Sequence, residues 1–310
     1  MSDPISSFPP PAPQPHSDTI FHGPNGIRAG WRALIFLAIG FALFLGLTQI
    51  AARIPGVDLR KPELSPLLTI VRDGIFFLSA FISALLMSKI EDRNVGVYGL
   101  PGRNAFGRKF WIGACAGFLG VNVVLLAIAA FHGFHLQNLA LHGSDLLRVT
   151  VSWTIAFVLV GLAEEFLFRG YLQYTLTTGI GFWPAALLLS ALFALVHTQN
   201  PGEDKIGLIS IVVFALVFCL ILRRTGDLWW IVGFHAGWDW TQTFFYGVPD
   251  SGILPKGNLF NSTFTGPTWL TGGSVGPEAS VFTPVVLILI AIVISRVYRE
   301  NRYPAPRARL

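Results

Sequence analysis

Apolar residues gather into eight long runs along this chain, at about 30–52, 67–89, 110–131, 148–170, 182–198, 206–223, 228–246 and 281–298. Crossing about 30 Å of hydrocarbon takes roughly 20 apolar residues in a helix. The pattern therefore predicts an all-α, polytopic membrane bundle of about eight transmembrane helices, the fifth and eighth short. Turn chemistry fits these boundaries. Gly226 follows Arg223-Arg224-Thr225 at the end of the sixth run, where a helix-terminating Gly belongs. Asp227 then suits an N-cap for the seventh, and Asn200-Pro201-Gly202 closes the fifth.

Composition agrees. The 310 residues are 53% hydrophobic and 13% charged, with a mean hydropathy of +0.59. Soluble domains carry roughly 25% charged residues, and a chain this apolar would expose more greasy surface than water tolerates. Cys115 and Cys219 both fall inside predicted spans and are expected to be packing residues, since two thiols make neither a disulfide framework nor a ligand set.

Residues 1–27, with a Pro-rich stretch from Pro4 to Pro15, are expected to form a disordered tail. The tail lacks the basic and apolar regions of a cleaved signal peptide, so the first span is expected to act as an uncleaved anchor. Residues 28–299 form the transmembrane domain, with core motifs at 150–245, and 300–310 a basic tail. The linker 90–109 is polar enough for the interface. The long Gly- and Pro-rich loop 247–280 carries Phe264, Trp269 and Leu270 as apolar anchors and is expected to fold as a cap. With eight spans, the flanking Lys and Arg divide fourteen to six. The positive-inside rule then places both termini in the cytoplasm of a cell (inner) membrane. The net charge of +5 reflects that bias, and no aromatic-plus-basic patch suggests nucleic acid.

Ionisable side chains in mid-span are costly, roughly 2.5–3.5 kcal/mol each, and persist with a partner or a function. The fourth run carries Glu164-Glu165-Phe-Leu-Phe-Arg169. Glu165 and Arg169, four apart, share a face. Glu164 points about 100° away and has no neutralising neighbour on its own helix, so an apolar pocket around it is expected, the setting of a general base. The fifth run ends Phe193-Ala-Leu-Val-His197 and the seventh carries His235-Ala-Gly-Trp-Asp239. If the fourth helix continues to a turn at Gly179-Ile-Gly181, Glu164 and His197 lie nearly level in an antiparallel hairpin. His235, counted from Gly226, falls about 9–10 Å shallower at 1.5 Å per residue. Arg72 and Asp73 are expected to snorkel at an interface, His132, His135 and His142 to be solvated, and Trp229 and Trp230 to lie in an aromatic belt.

These motifs, in this order, resemble the CPBP intramembrane proteases (CAAX proteases and bacteriocin-processing enzymes, the Abi family), whose pattern is EExxxR, then FxxxH, then HxxxN or HxxxD. The likeness covers about residues 150–245, and the loop with Trp269-Leu-Thr-Gly-Gly and Gly276-Pro-Glu278 is similar to one branch. The resemblance implies an eight-helix glutamic endopeptidase acting on a peptide or protein substrate, possibly lipid-modified. Glu164 with His197 would activate water, His235 and Asp239 would stabilise the oxyanion, Glu165 with Arg169 would hold the site together, and Phe193 would structure it. The eukaryotic CAAX enzymes carry Asn where this chain has Asp239. A carboxylate is a poor oxyanion donor unless protonated, so Asp239 is expected to orient His235.

No cofactor is expected. A zinc version would use Glu164, His197 and His235, although the chain lacks HExxH, the commoner helix-borne signature. Two other classes share these features: a non-proteolytic immunity or scaffold protein of the same fold, and a transporter using intramembrane charges. By charge count the loops 199–205 and 247–280 lie outside, whereas the eukaryotic relatives act on cytosolic tails.

Overall fold

The computed structural model describes residues 19–23 and 26–303. The Pro-rich stretch expected to be disordered lies outside them. In lipid each backbone polar group needs a partner within the chain, and helices supply one locally. Every predicted run accordingly contains a helix. Helix α1 spans Ala29–Ala51, α2 Pro66–Ile90 and α3 Arg108–Ala130. Helix α4, Asp145–Glu165, passes through a π-helical turn, Phe166–Leu172, into α5, Gln173–Ile180. Helix α6 is Phe182–His197, and α7 is Lys205–Thr225. Helix α8, Trp229–Asp239, continues into a second π-helical segment, Trp240–Phe245. A single turn, α9, spans Thr268–Thr271, and α10 closes the bundle at Phe282–Val297.

Among the described residues, five helices are long and apolar enough to cross a membrane: Ala29–Ala51, Pro66–Ile90, Arg108–Ala130, the continuous Asp145–Ile180, and Lys205–Thr225. Phe182–His197 and Phe282–Val297 are apolar but shorter. The chain is a polytopic, mostly helical membrane protein.

Among the described residues, strands, which the apolar pattern does not predict, form two antiparallel pairs. Strands β1 (His22–Gly23) and β2 (Gly26–Ile27) pair antiparallel ahead of α1, so the end of the expected tail has structure. Strand β3 (Phe134–Leu139) pairs antiparallel with β4 (Phe260–Phe264), Phe134 opposite Phe264 and Leu139 opposite Phe260. This ribbon ties the 247–280 loop to the segment after α3, and the loop is folded, as its apolar anchors suggested. The basic C-terminal stretch also begins docked: the N–H groups of Arg302 and Tyr303 donate to the Arg223 carbonyl at 2.9 and 3.1 Å.

The tightest packing is between α3 and α8. Gly113 and Gly117 on α3 face the backbone of Trp230 and Phe234, and Gly233 and Gly237 on α8 face the backbone of Phe110 and Ala114. Each pair is spaced four apart, the small-residue arrangement that lets membrane helices approach at backbone distance. Trp229 and Trp230 are 5% and 2% exposed. They fill the core beside this seam and form no aromatic belt, because the start of α8 is enclosed: the Leu228 N–H donates to the Gly99 carbonyl at 2.8 Å. Cys219 is buried, but Cys115 is exposed on the outer flank of α3, contrary to its expected packing role.

A Cβ added at Gly117 would meet the Phe234 carbonyl and come within 2.7 Å of the Trp238 nitrogen, whereas one at Gly46 meets nothing within 4 Å. Gly117→Leu should therefore lower stability by at least the ~1–3 kcal/mol typical of overpacking, and Gly46→Leu should leave it nearly unchanged. Thermal unfolding in detergent measures both.

Candidate active site

Helices α4 and α8 meet where Gly161 omits a side chain; a Cβ there would lie 3.0 Å from the Val232 carbonyl oxygen and 3.4 Å from His235 Cβ. That approach brings the next turn of α4, with Glu164 and Glu165, to the imidazole. Glu165 faces inward and is 1% exposed. Its Oε1 lies 2.9 Å from His235 Nδ1 and its Oε2 3.3 Å from Arg169 Nη1. A carboxylate accepts hydrogen bonds, so the imidazole donates from Nδ1 and turns Nε2 outward. Nε2 then stands 3.4 Å from Asp239 Oδ2 and 3.9 Å from Glu164 Oε2. The ring is thus oriented mainly by Glu165. Asp239, expected to do this, makes the longer contact, on the ring edge that Glu164 also faces.

Arg169 joins this cluster to α6. Its guanidinium carbon sits 4.3 Å from the centroid of the Phe193 ring, a cation–π contact in a desolvated place. The Phe193 ring lies 4.3 Å from that of His197, and His197 Nδ1 donates to the Phe193 carbonyl at 2.7 Å. The His197 tautomer is thereby fixed with the proton on Nδ1, leaving Nε2 able to accept in the neutral ring. Arg169 itself lies in the π-helical turn, where Gly170 departs from helical backbone (φ −85°, ψ −107°). Single π turns inside α-helices recur at functional sites.

A cavity of about 260 Å³ opens onto these groups, lined by Glu164, His197, His235 and Asp239 among others. No direct hydrogen bond or ion pair joins Glu164 to His197. His235 shares their cavity, against the 9–10 Å offset that counting from Gly226 gave. That count assumed straight helices leaving level turns. The π turn, the break at Gly170 and the pinning of Leu228 to Gly99 remove that premise.

The apolar surroundings expected for Glu164 are also corrected. Arg72 and Asp73 of α2 line the same cavity, and Arg72 reaches back to the Lys61 carbonyl at 3.3 Å. The folded 247–280 loop adds Asp250, Ser251 and Glu278. Sequence reasoning missed Asp250, which no apolar run contains, and discounted Asp73, although a charge inside an apolar run was the available signal there. The second π-helical segment holds the loop acids: Gln242 Nε2 donates to Glu278 Oε1 at 2.8 Å, and Thr243 Oγ1 to Asp250 Oδ2 at 2.8 Å. Burial, then the Asp250 charge, pushes the Glu278 carboxyl up to about 8. Burial likewise raises Asp250.

Among the described residues, the side chains that bring ligand atoms within 4.8 Å of one another in a group of three are Asp239, Asp250 and Glu278. That all-oxygen set suits a hard cation. Glu164, His197 and His235, the set a zinc site would need, do not converge in this way.

The fold and cavity define a site of carboxylates and imidazoles within the helix bundle of a membrane protein. Residues 146–241 match the family model of the Rce1-like type II CAAX prenyl endopeptidases, in agreement with the resemblance to CPBP proteases. The match supports an intramembrane endopeptidase in general and spans Glu164, Glu165, Arg169, Phe193, His197, His235 and Asp239. Asp73, Asp250 and Glu278 lie outside it. No curated protein matches the chain.

The raised Glu278 carboxyl has a consequence for stability. Folded protein keeps this proton up to about pH 8, while the unfolded chain loses it near the ordinary value of 4.5. The contribution is full below pH 4.5 and is lost as pH rises to about 8. The thermal midpoint should therefore fall across that window, and Glu278→Gln should fall less. Parallel slopes for the two proteins would contradict the assignment.

Proposed function

We propose that this protein is an intramembrane endopeptidase of the glutamic type, hydrolysing peptide bonds of membrane-associated or C-terminal, CAAX-like peptides. The substrate is a peptide or protein, possibly lipid-modified, reaching the site from the surrounding membrane lipids. The observation that carries this reading is that Glu164 and His197 line one cavity of about 260 Å³, large enough to hold water, without bonding each other. The Rce1-like match covers both residues.

In this reading Glu164 accepts a proton from that water while His197 Nε2 orients it, and the water oxygen attacks the scissile carbonyl carbon. Negative charge develops on the carbonyl oxygen. His235, held through Nδ1 by Glu165, would offer Nε2–H to that oxyanion when protonated, with Asp239 beside it balancing the imidazolium. Collapse breaks the C–N bond, and the proton held by Glu164 passes to the departing amine. Arg169 and Phe193 fix both imidazoles without touching the substrate. No step needs a metal, and turnover should survive exhaustive chelation. The fourteen-to-six division of flanking Lys and Arg supports both termini on the cytoplasmic side of the cell (inner) membrane.

A transporter reading draws on the same cavity, because Asp73, Glu164, Asp239, Asp250 and Glu278 could relay protons. Purified protein distinguishes the two. Wild type should cleave members of a peptide library in detergent. Glu164→Gln should lose about 10²–10⁴-fold of that turnover, the span typical of a general base, with an unchanged thermal midpoint. Undiminished turnover in the variant would overturn the assignment. Proton-coupled uptake in proteoliposomes, with no cleavage, would favour the transporter.

A further inference from the structure

A second, larger concavity of about 750 Å³ runs along the outside of the bundle. Trp111, Cys115 and Leu119 of α3 form one wall, and Ala236, Gly237 and Trp240 form its floor. Its lining is almost wholly apolar: Thr154 Oγ1 is already donated to the Thr150 carbonyl at 2.8 Å, which leaves the indole N–H groups of Trp111 and Trp240 and the Cys115 thiol as its polar atoms. The part of an occupant that fills it is therefore mainly hydrocarbon. Small residues on the floor make the space, since Gly237 sits against the Ala114 backbone.

One end of this groove is basic. Arg108 begins α3 and lies three and seven residues before Trp111 and Cys115, on the same helix face. Arg103 and Arg108 flank Phe106, another lining residue, and both are exposed. Among the described residues neither has an acidic partner. Lys109, by contrast, is paired with Asp227. From Arg108 to Leu119 the helix rises about 16 Å at 1.5 Å per residue, about half the 30 Å hydrocarbon core. An apolar slot one leaflet deep, headed by two unpaired guanidinium groups, matches a single lipid: one acyl chain in the slot and a phosphate at the arginines, which bind phosphate through paired N–H donors.

We propose that the groove between α3 and α4, floored by α8, is a binding site for an anionic glycerophospholipid, its headgroup held by Arg103 and Arg108. Two cations without counter-charge favour a net-negative headgroup over a zwitterionic one. The floor of the slot is the reverse side of the helix that presents His235 and Asp239 to the cavity, so the bound chain packs directly behind the site.

The test uses the full chain in nanodiscs of equal phosphatidylglycerol and phosphatidylcholine, and reads retained lipid by native mass spectrometry. Wild type should retain phosphatidylglycerol at least about fivefold over phosphatidylcholine. Arg103→Gln with Arg108→Gln should bring that ratio near one. Cys115→Trp, which fills the slot from an exposed position, should lower total retention. Phosphatidylglycerol carrying a photoreactive chain should crosslink to α3 between Phe110 and Leu119. Equal retention of both lipids by wild type, a preference surviving the double Arg variant, or crosslinks confined elsewhere would overturn the proposal. So would capture at Cys115 of a farnesylated peptide in place of phosphatidylglycerol. None of these readouts depends on proteolysis.

Discussion

Arg169 carries a charge into a part of the bundle that water does not reach, its side chain being 1% exposed. Burying an ion without a partner costs several kcal/mol even after relaxation, so its surroundings are constrained to answer it. Glu165 answers with a carboxylate at 3.3 Å and Phe193 with a ring face at 4.3 Å. Each of these then holds one imidazole: Glu165 fixes His235 through Nδ1, and Phe193 fixes His197 through its carbonyl and its ring. Three helices are thus locked in register by one guanidinium. The polar groups that face the cavity, Glu164 above all, remain free of that structural duty.

The site has two origins. The segment matched by the family model supplies the Arg169-centred cluster and both imidazoles. The remainder of the chain supplies the outer acids: Asp73 from α2, and Asp250 and Glu278 from the loop anchored by the β3–β4 ribbon. Burial, and after it repulsion from Asp250, favours the protonated form of Glu278. The cavity therefore contains a rigid inner wall and a titratable outer rim, the latter held by Gln242 and Thr243 of a π-helical segment.

The sequence carried the helices because their signal is long, local and one-dimensional: every apolar run holds one. Glu165–Arg169 was legible for the same reason, being a spacing within one helix. The contact of Glu165 with His235 was not, since it joins residues seventy positions apart and depends on the close approach at Gly161. The depth of His235 failed because a π turn and a pinned Leu228 break the even rise that counting assumes. Asp250 was invisible in a Gly- and Pro-rich loop whose strand pairing to Phe134–Leu139 no periodicity announced. Residue type alone points Trp229 and Trp230 to an interface, whereas enclosure of the start of α8 draws them into the core.

A double-mutant cycle on Glu165→Gln and Arg169→Gln, read by equilibrium unfolding in detergent, measures directly whether the buried ion pair organises the site. Breaking a buried pair from either side leaves an uncompensated charge, so each single variant should lose about 3–5 kcal/mol. The double variant, with no charge left to strand, should lose clearly less than their sum. Losses that add to within about 0.5 kcal/mol would mean that the two side chains are energetically independent, and the pair could not be what holds both imidazoles in place.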